Sequence, residues 1–406
     1  MAALNTAEAL ESAVRKAVAD VAITDVHTHL FPPSHGDLLL WGIDELLTYH
    51  YLVSELFAAR PRGLTPEQFW KMPKAAQADV VWEHVFLRCG ALSEAARGVI
   101  TTLKALGLDA AGRDLAGVRK WFAAQKIEDY LPQVFKLANI DYAVMTNDPF
   151  QPAEAAHWHA GKAACEYLKP ALRVDTAIVN WPAAVETTGE GGYHGARRFL
   201  IDWANKMHPL YMAASLPPEF RYPSDDIMAR VMMNVVLPAA RERHQPLALM
   251  IGVRRGVNPA LRDGGDLAGV ADATAVANLC AENGDLKFLV TMISRVNQHE
   301  LCACARAFGN LHVFGCWWFC NTPSIVEEIT RQRLELLGAT FTANHSDARV
   351  LDQLIYKWSH TRKVLADVLA DKYADLFAAG WRPMEDEIRR AARSLLGGAF
   401  EEFVNR

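Results

Sequence analysis

Residues 21–29 read VAITDVHTH, and this stretch decides the fold predicted for the chain. Its apolar and β-branched residues predict a buried strand that ends in two histidines. Because residues i and i+2 of a strand project from the same face, the imidazoles of His27 and His29 should lie side by side at the carboxyl end of that strand. Two such imidazoles can chelate one divalent cation. A hydrogen-bonded pair of surface histidines is the alternative.

Seven further short apolar runs follow, separated by longer stretches with helical periodicity. The predicted strands are 21–27, 142–148, 173–179, 211–216, 247–253, 288–294, 312–318 and 340–346. The predicted helices between them are 153–167, 193–207, 225–243, 267–283, 297–308 and 322–337. Eight nearly continuous apolar strands that alternate with helices predict an α/β fold, a (β/α)8 TIM barrel. A doubly wound open sheet is the structural rival, but no Gly-rich turn follows the first strand.

The interval from residue 30 to residue 140 breaks this alternation. It predicts helices at 44–60, 66–89 and 93–107. The predicted domains are therefore a barrel with C-terminal helices, formed by residues 1–29 and 141–406, and a helical insertion formed by residues 30–140. Barrel active sites are built from the loops that follow the strands, so we expect the insertion to form a lid or wall over the site.

The composition excludes several classes of protein. The 406 residues are 51% hydrophobic and 22% charged, which is typical of a globular domain. The net charge of −5 gives no reason to expect a nucleic-acid partner. No run reaches the roughly 18 uncharged apolar residues of a membrane span, and residues 1–20 predict an amphipathic helix without the features of a signal peptide. Seven cysteines, read mostly as buried thiols, favour a reducing compartment, with cytoplasm as the expectation.

Asp347 ends the predicted eighth strand and offers a third metal ligand. With His27 and His29 it would form a set of two histidines and one carboxylate that leaves positions open for water or substrate. Such a set predicts one divalent metal, zinc first, with manganese or iron(II) as alternatives. The competing interpretation makes Asp347 the N-cap of the following helix.

These features resemble the amidohydrolase superfamily of metal-dependent barrels and, within it, the uronate isomerases (glucuronate isomerases), of which the chain would be a divergent member. Each motif is short, but the ordered set covers residues 21 to 365. Besides the two histidines, the motifs are His50-Tyr51, Thr146-Asn147-Asp148-Pro149, Leu172-Arg173-Val174-Asp175, Ile251-Gly252, Trp317-Trp318-Phe319 and Asp347-Ala348-Arg349.

The resemblance implies a metal-dependent aldose–ketose isomerase that acts on a uronic acid similar to glucuronate or galacturonate. It implies that Tyr51, with His50 beside it, exchanges protons with the sugar. Asp347, at the metal, would help to open the ring or handle a hydroxyl proton. Related barrels often form homo-oligomers, and the same is expected here.

The resemblance also implies residues that bind the substrate. Arg173 and Arg349 would bind the carboxylate and hydroxyls of the sugar acid, because a guanidinium pairs with a carboxylate through two parallel hydrogen bonds. Surface or ion-paired arginines are the alternative. One of Trp317 and Trp318 would stack on the ligand, although core packing is the usual role of tryptophan.

Two departures from the family pattern leave other functions open. Met250 occupies the position of a family histidine, and residues 212–217 lack the acidic and histidine residues of a family motif. His345 either replaces the lost histidine in part or is a solvated or capping residue. The alternatives are a metal-dependent hydrolase or decarboxylase of the same superfamily acting on a small carboxylate, and a barrel that retains only a binding role.

Overall fold

Seven parallel strands form a curled sheet in which neighbours in space are neighbours in the chain. The computed structural model describes residues 4–161, 165–189 and 191–406. The strands of the sheet are β1 (Ile23–Thr28), β2 (Ile140–Asn147), β3 (Leu168–Arg173), β4 (Met212–Leu216), β5 (Leu247–Ile251), β6 (Phe288–Met292) and β7 (Leu311–Val313). Val253–Arg254 and Leu267–Ala268 form a separate antiparallel pair. Because all seven strands are parallel, their carboxyl ends lie at one edge, where the predicted site residues of β1 and β3 are found.

Helices fill the connections between strands. The α-helices are α1 (Ala7–Asp20), α2 (Ile43–Leu47), α3 (His50–Ala58), α4 (Pro66–Lys71), α5 (Lys74–Val81), α6 (Glu94–Ala105), α7 (Leu115–Ala123), α8 (Ile127–Ala138), α9 (Pro152–His159), α10 (Asp175–Val179), α11 (Trp181–Thr188), α12 (Gly192–Met207), α13 (Ile227–Val231), α14 (Leu237–Glu242), α15 (Thr274–Glu282), α16 (Gln298–Ala307), α17 (Pro323–Leu337), α18 (Gln353–Ala378), α19 (Glu385–Arg393) and α20 (Ala399–Asn405). Short 3₁₀ helices lie at Pro33–Leu38, Pro259–Gly265, Arg295–Asn297 and Trp318–Cys320, and π-helical turns at Trp82–Arg88, Met232–Val236 and Ser394–Gly398. No helix among the described residues combines the length and the apolar character that a membrane crossing requires.

The strands are buried on both faces, which explains their nearly continuous apolar sequences. In β5, Leu247, Leu249 and Ile251 pack in the larger core with the helices, whereas Ala248 and Met250 pack in a smaller core on the opposite face. The smaller core collects alternate residues of successive strands, together with side chains of the C-terminal helix, among them Val144, Ala171, Ala213, Leu289, Phe314, Trp317, Phe400 and Phe403.

Residues 340–346 do not form the eighth strand that the sequence predicts. One side of this segment makes an isolated parallel bridge between Phe314 and Thr342. On the other side, just past its end, the Asp347 amide donates to the His27 carbonyl at 3.1 Å and the His29 amide donates to Ala348 at 2.8 Å. The segment therefore lies between β7 and β1 without a regular ladder to either strand.

Polar side chains replace the missing ladder bonds. The Cys316 amide donates to the side-chain oxygen of Asn344 at 3.2 Å, and the Ser346 amide donates to the carboxylate of Asp25 at 3.0 Å. Side chains that satisfy the backbone in this way compete with strand pairing. The apolar pattern identified the segment, but side-chain hydrogen bonds to residues distant in the chain replace regular strand pairing there.

The third strand lies before its predicted position. The sequence predicts a strand at 173–179, but β3 ends at Arg173 and α10 begins at Asp175. The sequence does not predict a strand at 168–173 because this segment contains Pro170, and proline is unfavourable inside a sheet. It is tolerated because the pairing of β3 with β4 begins only at Leu172. Arg173 consequently ends its strand instead of opening it.

Two predicted helices are shorter in the structure. The prediction at 153–167 corresponds to α9, and its residues 162–164 lie outside the described residues. The prediction at 267–283 corresponds to α15, because residues 267–268 belong to the short antiparallel pair. The predictions at 193–207, 225–243, 297–308 and 322–337 correspond to helical segments of nearly the same length.

Seven α-helices, α2 to α8, lie between β1 and β2. They are tied to the start of α18 by Asp352, which accepts hydrogen bonds from the Gly42 amide at 2.7 Å and from the Tyr130 hydroxyl. Helix α6 packs so closely on α18 that a Cβ atom on Gly98 would lie 2.5 Å from the ring of Tyr356. These contacts place helices of the 30–140 segment beside the residues that follow Asp347.

Candidate metal centre and active site

His27 and His29 lie on one face at the carboxyl end of β1, as strand geometry predicts. Their ring centroids are 5.1 Å apart and the rings are nearly perpendicular, at 86°. The side chain of His27 is 3% exposed and that of His29 is 21% exposed. The pair is therefore largely shielded from water, which excludes two solvated surface histidines.

Asp347 reaches both imidazoles from the end of the eighth segment. Its Oδ1 atom lies 3.5 Å from His27 Nε2 and 3.3 Å from His29 Nε2. One nitrogen or oxygen atom from each of the three residues lies within 4.8 Å of the others. The backbone of Asp347 has a φ of 53°, a left-handed conformation that few non-glycine residues adopt. Asp347 is not the N-cap of the next helix, because that position belongs to Asp352.

The donor atoms of this cluster fit a divalent cation. His27 Nδ1, His27 Nε2 and Asp347 Oδ1 are buried and make no hydrogen bond among the described residues. Burial lowers the pKa of His29 to about 3, so its imidazole is neutral. Burial opposes ionisation of Asp347, but the imidazoles of His27 and His29 hold the pKa of its carboxyl well below the usual range. Neutral imidazole and ionised carboxylate are the forms that bind metal ions.

Thr146, at the end of β2, orients His29. Its hydroxyl donates to the Thr28 carbonyl at 3.0 Å and lies 3.1 Å from His29 Nδ1. Since the single hydroxyl proton is used on the carbonyl, the oxygen accepts the Nδ1 proton of His29. The lone pair of His29 Nε2 then points towards Asp347, which is the tautomer that a metal ligand requires.

His345 and Met250 occupy buried positions. The ring of His345 lies 5.2 Å from that of His27, and both of its nitrogens lack a hydrogen-bond partner among the described residues. His345 is fully buried, which excludes the solvated interpretation. Met250 is 1% exposed and belongs to the smaller core. The thioether therefore fills apolar space at this position.

Arg173 and Arg349 line one cavity of about 880 Å³, here named the arginine cavity. Arg173 Nε donates to Asp175 at 3.0 Å, and Arg349 pairs with Asp263. The other charged side chains that line this cavity are Asp148, Glu154, Glu219, Arg254 and Arg255. Four guanidinium groups at one concave surface can bind a carboxylate.

His50, Tyr51 and Trp318 line a second cavity of about 420 Å³, here named the lysine cavity because Lys357 also lines it. The rings of His50 and Trp318 are 5.2 Å apart. Asp263 lines both cavities. Trp317 lines neither cavity and packs in the smaller core.

Electrostatic interactions link the cluster of His27, His29 and Asp347 with residues of the arginine cavity and of the lysine cavity. Burial, followed by the charge of Arg349, lowers the pKa of His50 to about 3. The charge of Arg349 also acts on the pKa of His29, and that of Asp347 on the pKa of Tyr51. The structure thus brings the predicted metal ligands, His50, Tyr51 and Arg349 into one electrostatic neighbourhood.

A comparison with solved structures identifies the family. The crystal structure of a uronate isomerase from Bacillus halodurans C-125 is 46% identical in sequence, covers 99% of this chain and 98% of its own, and superposes with a TM-score of 0.96. The chain belongs to the uronate isomerase family. The family predicted from the motifs is therefore confirmed.

More distant uronate isomerases share the fold. The enzyme from Thermotoga maritima is 18% identical with a TM-score of 0.78 and covers 97% of both chains. The glucuronate isomerase from Caulobacter crescentus is 16% identical with a TM-score of 0.77, covering 98% of this chain and 94% of its own. No protein-family model matches the sequence, and comparison with curated proteins gives no match.

The sequence did not single out two charged residues of this uronate isomerase family member. Lys357 lies in the segment LIYKW, where a lysine inside an apolar run of a helix is the available signal. Asp263 lies in the segment RDGGD, where an acidic residue within a Gly-rich loop gives only a weak signal. Their positions depend on contacts between segments that are distant in the chain.

Proposed function

We propose that this protein is a metal-dependent aldose–ketose isomerase of uronic acids. The observation that carries the proposal is the cluster of His27, His29 and Asp347, together with a cavity lined by Arg173 and Arg349. In the described part of the chain, ligand atoms of His27 and Asp347 have no hydrogen-bond partner. The substrate would be a small sugar acid similar to glucuronate or galacturonate.

The metal would be held by the two imidazoles and the carboxylate. When bound, a divalent cation supplies a Lewis acid that holds and polarises oxygen atoms of the substrate. Zinc is the first choice for these ligands, and manganese or iron(II) accept the same set. Thr146 supports the site by holding His29 in the ligating tautomer.

Two parts of the architecture belong to this proposal. Residues 340–346 would close the sheet into an eight-stranded barrel, supported by their bonds to residues beside both edge strands. Residues 30–140 would act as a lid or wall, supported by α3 and the start of α6, which line the lysine cavity. Residues 1–29 and 141–406 would then form the barrel and its C-terminal helices.

Cellular location and assembly complete the proposal. The seven cysteines are free thiols, which supports a reducing compartment such as the cytoplasm. Exposed apolar side chains, among them Val257, Leu267, Val270 and Val296, support a homo-oligomer.

Arg173 and Arg349 would bind the carboxylate of the sugar acid. Both guanidinium groups already face carboxylates, Asp175 and Asp263, so a substrate carboxylate would join or replace these pairs. The arginine cavity is lined by four arginines and five acidic residues, so a substrate carboxylate would be held by contact with individual guanidinium groups and not by the net charge of the chain.

Isomerisation removes a proton from C2, returns one to C1, and moves a hydroxyl proton between the two oxygens. Before substrate binds, the carboxyl of Asp347 is ionised and can accept a hydroxyl proton. Burial, with the charges of Tyr49 and Asp347, raises the pKa of Tyr51, so its phenol holds a proton that it can deliver. His50 is neutral and lies beside Tyr51, with ring centroids 4.6 Å apart.

Proton NMR in D₂O with a panel of uronates and aldonates tests the reaction class. The metal-loaded protein should convert an aldose to a ketose and exchange hydrogen with solvent, whereas Asp347→Asn should do neither. Release of a fragment without isomerisation would instead indicate the hydrolase or decarboxylase alternative. An absence of both reactions across the panel would contradict the proposal.

The role of Tyr51 is tested by Tyr51→Phe, which keeps the ring and removes the proton. Turnover should fall about 100-fold or more, as for loss of a general acid. Metal content, measured by elemental analysis, should not change, because the phenol is not a ligand. Full activity in this variant would remove Tyr51 from the mechanism.

A further inference from the structure

Asp25 is a fully buried carboxylate in β1, two residues before His27. Its Oδ1 atom accepts a hydrogen bond from the Ser346 amide at 3.0 Å, and its Oδ2 atom accepts one from the indole Nε1 of Trp358 at 2.8 Å. Because a buried carboxylate without donors is costly, these bonds keep both donor groups in place. Asp25 therefore connects β1 with α18 and with the residue that precedes Asp347.

The same serine extends this connection across Asp347. The Ser346 hydroxyl donates to the carboxylate of Asp25 and accepts a hydrogen bond from the Ala348 amide at 3.2 Å. The Asp347 amide and the Ala348 carbonyl are bonded to the backbone at the carboxyl end of β1. The residues on both sides of Asp347 are thus fixed, and Asp25 supplies the side chain that fixes the first of them.

This set of bonds holds Asp347 in a conformation that is unfavourable for a residue with a side chain. Its φ of 53° lies in the left-handed region. In this conformation Oδ1 lies 3.5 Å from His27 Nε2 and 3.3 Å from His29 Nε2. Two tetrahedral zinc ligands with bonds of about 2.0–2.1 Å are separated by about 3.3 Å. The carboxylate is therefore already at the spacing that a shared metal ion requires.

Asp25 is not itself a member of the ligand set. Both of its oxygen atoms are occupied by N–H donors. Among the described residues, the group of possible ligands that lie together consists of His27, His29 and Asp347. Any contribution of Asp25 to metal binding must therefore pass through the position of Asp347.

We propose that Asp25 is a positioning residue of the candidate metal centre. Its carboxylate holds the turn from Ser346 to Ala348, so that Asp347 keeps its left-handed backbone and its Oδ1 atom stays at ligating distance from both imidazoles. The inference deepens the proposed function, because it rests on the metal centre proposed there. Asp25 itself touches neither the metal nor the sugar acid.

Asp25→Asn tests this role, because an amide offers one acceptor oxygen where the carboxylate offers two. Its NH₂ group would face either the Ser346 amide or the Trp358 indole, which places one donor against another. The affinity for zinc, measured by competition with a chromophoric chelator, should fall at least tenfold, as for other groups that orient metal ligands.

Asp352→Asn is the matched control. Asp352 is equally buried and also accepts one hydrogen bond from a backbone amide and one from a side chain, but both donors belong to residues 30–140. This variant should bind zinc within twofold of wild type. With cobalt(II) in place of zinc, the visible d–d absorption should change in Asp25→Asn and match that of wild type in Asp352→Asn. A purely structural role would alter the two variants alike.

A second measurement does not need the metal. In the metal-free protein, amide hydrogen exchange followed by mass spectrometry should be at least tenfold faster for residues 343–350 of Asp25→Asn than for those of wild type. A wild type that binds no zinc, manganese or iron(II) would contradict the proposed metal centre. Faster exchange in the variant would, even then, support the positioning of Asp347 by Asp25.

Three results would overturn the proposal. They are a fall in zinc affinity of less than tenfold in Asp25→Asn, an equal fall in Asp25→Asn and Asp352→Asn, or unchanged hydrogen exchange of residues 343–350.

If Asp25→Asn does not fold, Ser346→Ala is the second variant, because it removes only the hydroxyl between Asp25 and Ala348. Its zinc affinity should fall at least threefold. Ser294→Ala is the control for this variant, since the Ser294 hydroxyl likewise accepts the amide two residues further on, at 3.3 Å. Equal zinc affinities in the two alanine variants would overturn the proposal.

Discussion

The hydroxyl of Thr146 decides which nitrogen of His29 is available to a metal. A carbonyl can only accept a hydrogen bond, so the Thr28 carbonyl uses the hydroxyl proton and the imidazole must donate from Nδ1. The Thr28 carbonyl therefore sets the tautomer of His29 through the hydroxyl of Thr146, which lies in the neighbouring strand β2. The Thr146 hydroxyl thus holds His29 in the tautomer that can bind a metal, although the hydroxyl contacts Nδ1 and not the metal-facing Nε2.

Replacing Thr146 tests this arrangement. Thr146→Val keeps the shape and removes the hydroxyl, so zinc affinity should fall about tenfold or more, as for other groups that support metal ligands. Thr146→Ser, the control, should bind zinc like wild type. Competition with a chromophoric chelator measures the affinity, and equal values for the valine and serine variants would contradict the role of the hydroxyl.

Glu154 lines the arginine cavity, and the raised pKa of its carboxyl should make the free energy of unfolding depend on pH. Burial raises the pKa of its carboxyl to about 7, although the Asp148 amide donates to it at 2.7 Å. Below about pH 4 the folded and unfolded states both hold the proton, so the residue has no effect on stability. As the pH rises to 7, only the unfolded state releases the proton, and the free energy of unfolding falls by up to about 3 kcal/mol.

Glu154→Gln keeps an acceptor for the Asp148 amide and cannot ionise. Relative to wild type, it should gain about 1–3 kcal/mol of stability between pH 4.5 and pH 8. Urea unfolding at both pH values measures the difference. A stability difference that does not change with pH would show that Glu154 is ionised in the folded protein.

At the scale of elements, the close approach of the eighth segment to the end of β7 depends on Gly315. This glycine has a φ of 66°, and a Cβ atom there would lie 1.8 Å from Cδ2 of His345. No side chain can be accommodated at this position unless His345 moves. The glycine therefore allows the segment that carries Asp347 to pack beside β1.

Gly315→Ala should accordingly destabilise the fold by about 2–4 kcal/mol, through steric overlap and an unfavourable backbone conformation. Gly309→Ala is a matched control in the same region, because a Cβ atom there meets nothing within 4 Å, and its effect should stay below about 0.5 kcal/mol. Urea unfolding compares the two variants. Similar stabilities would mean that the segment can shift freely.

At the scale of the whole molecule, the candidate metal centre joins the two ends of the strand order. His27 lies in the first strand and His29 directly follows it, and Asp347 follows the last strand-like segment. A cation held by all three would connect residues more than 300 positions apart in the chain. Metal binding is then coupled to the packing of the complete sheet.

Metal removal should therefore lower global stability. A metal at 1,000 times its dissociation constant stabilises the folded state by about 4 kcal/mol, so dialysis against a chelator should lower the thermal midpoint and zinc should restore it. In Asp347→Asn, the change on adding zinc should be much smaller. Calorimetry measures both midpoints, and identical zinc responses in wild type and the variant would contradict the ligand role of Asp347.

Patterns that depend on near neighbours were predictable from the sequence. Strands buried on both faces, such as β5 and β6, are recognisable in the sequence as nearly continuous apolar runs. The helices α12, α16 and α17 are recognisable from their amphipathic periodicity. The predictions of the third and eighth strands were wrong because individual residues changed the local pattern or the hydrogen bonding of the backbone. Pro170 made the true third strand unlike a strand in sequence, and the side chains of Asn344 and Asp25 accept backbone amide hydrogen bonds that a regular strand would have made with another strand.

By itself, the sequence determined the order of strands and helices, the placement of two imidazoles on one face of a strand, and the family, through its ordered motifs. These depend on contacts between residues close in the chain or on residue identity. Only the tertiary structure decided that Arg173 and Arg349 share one cavity, that His50 and Tyr51 line another, that Trp317 is buried in the core, and that Lys357 lies over the rings of Tyr51 and Tyr356. Such facts depend on side-chain packing between distant segments, and helical or strand periodicity carries no information about which distant segments will meet.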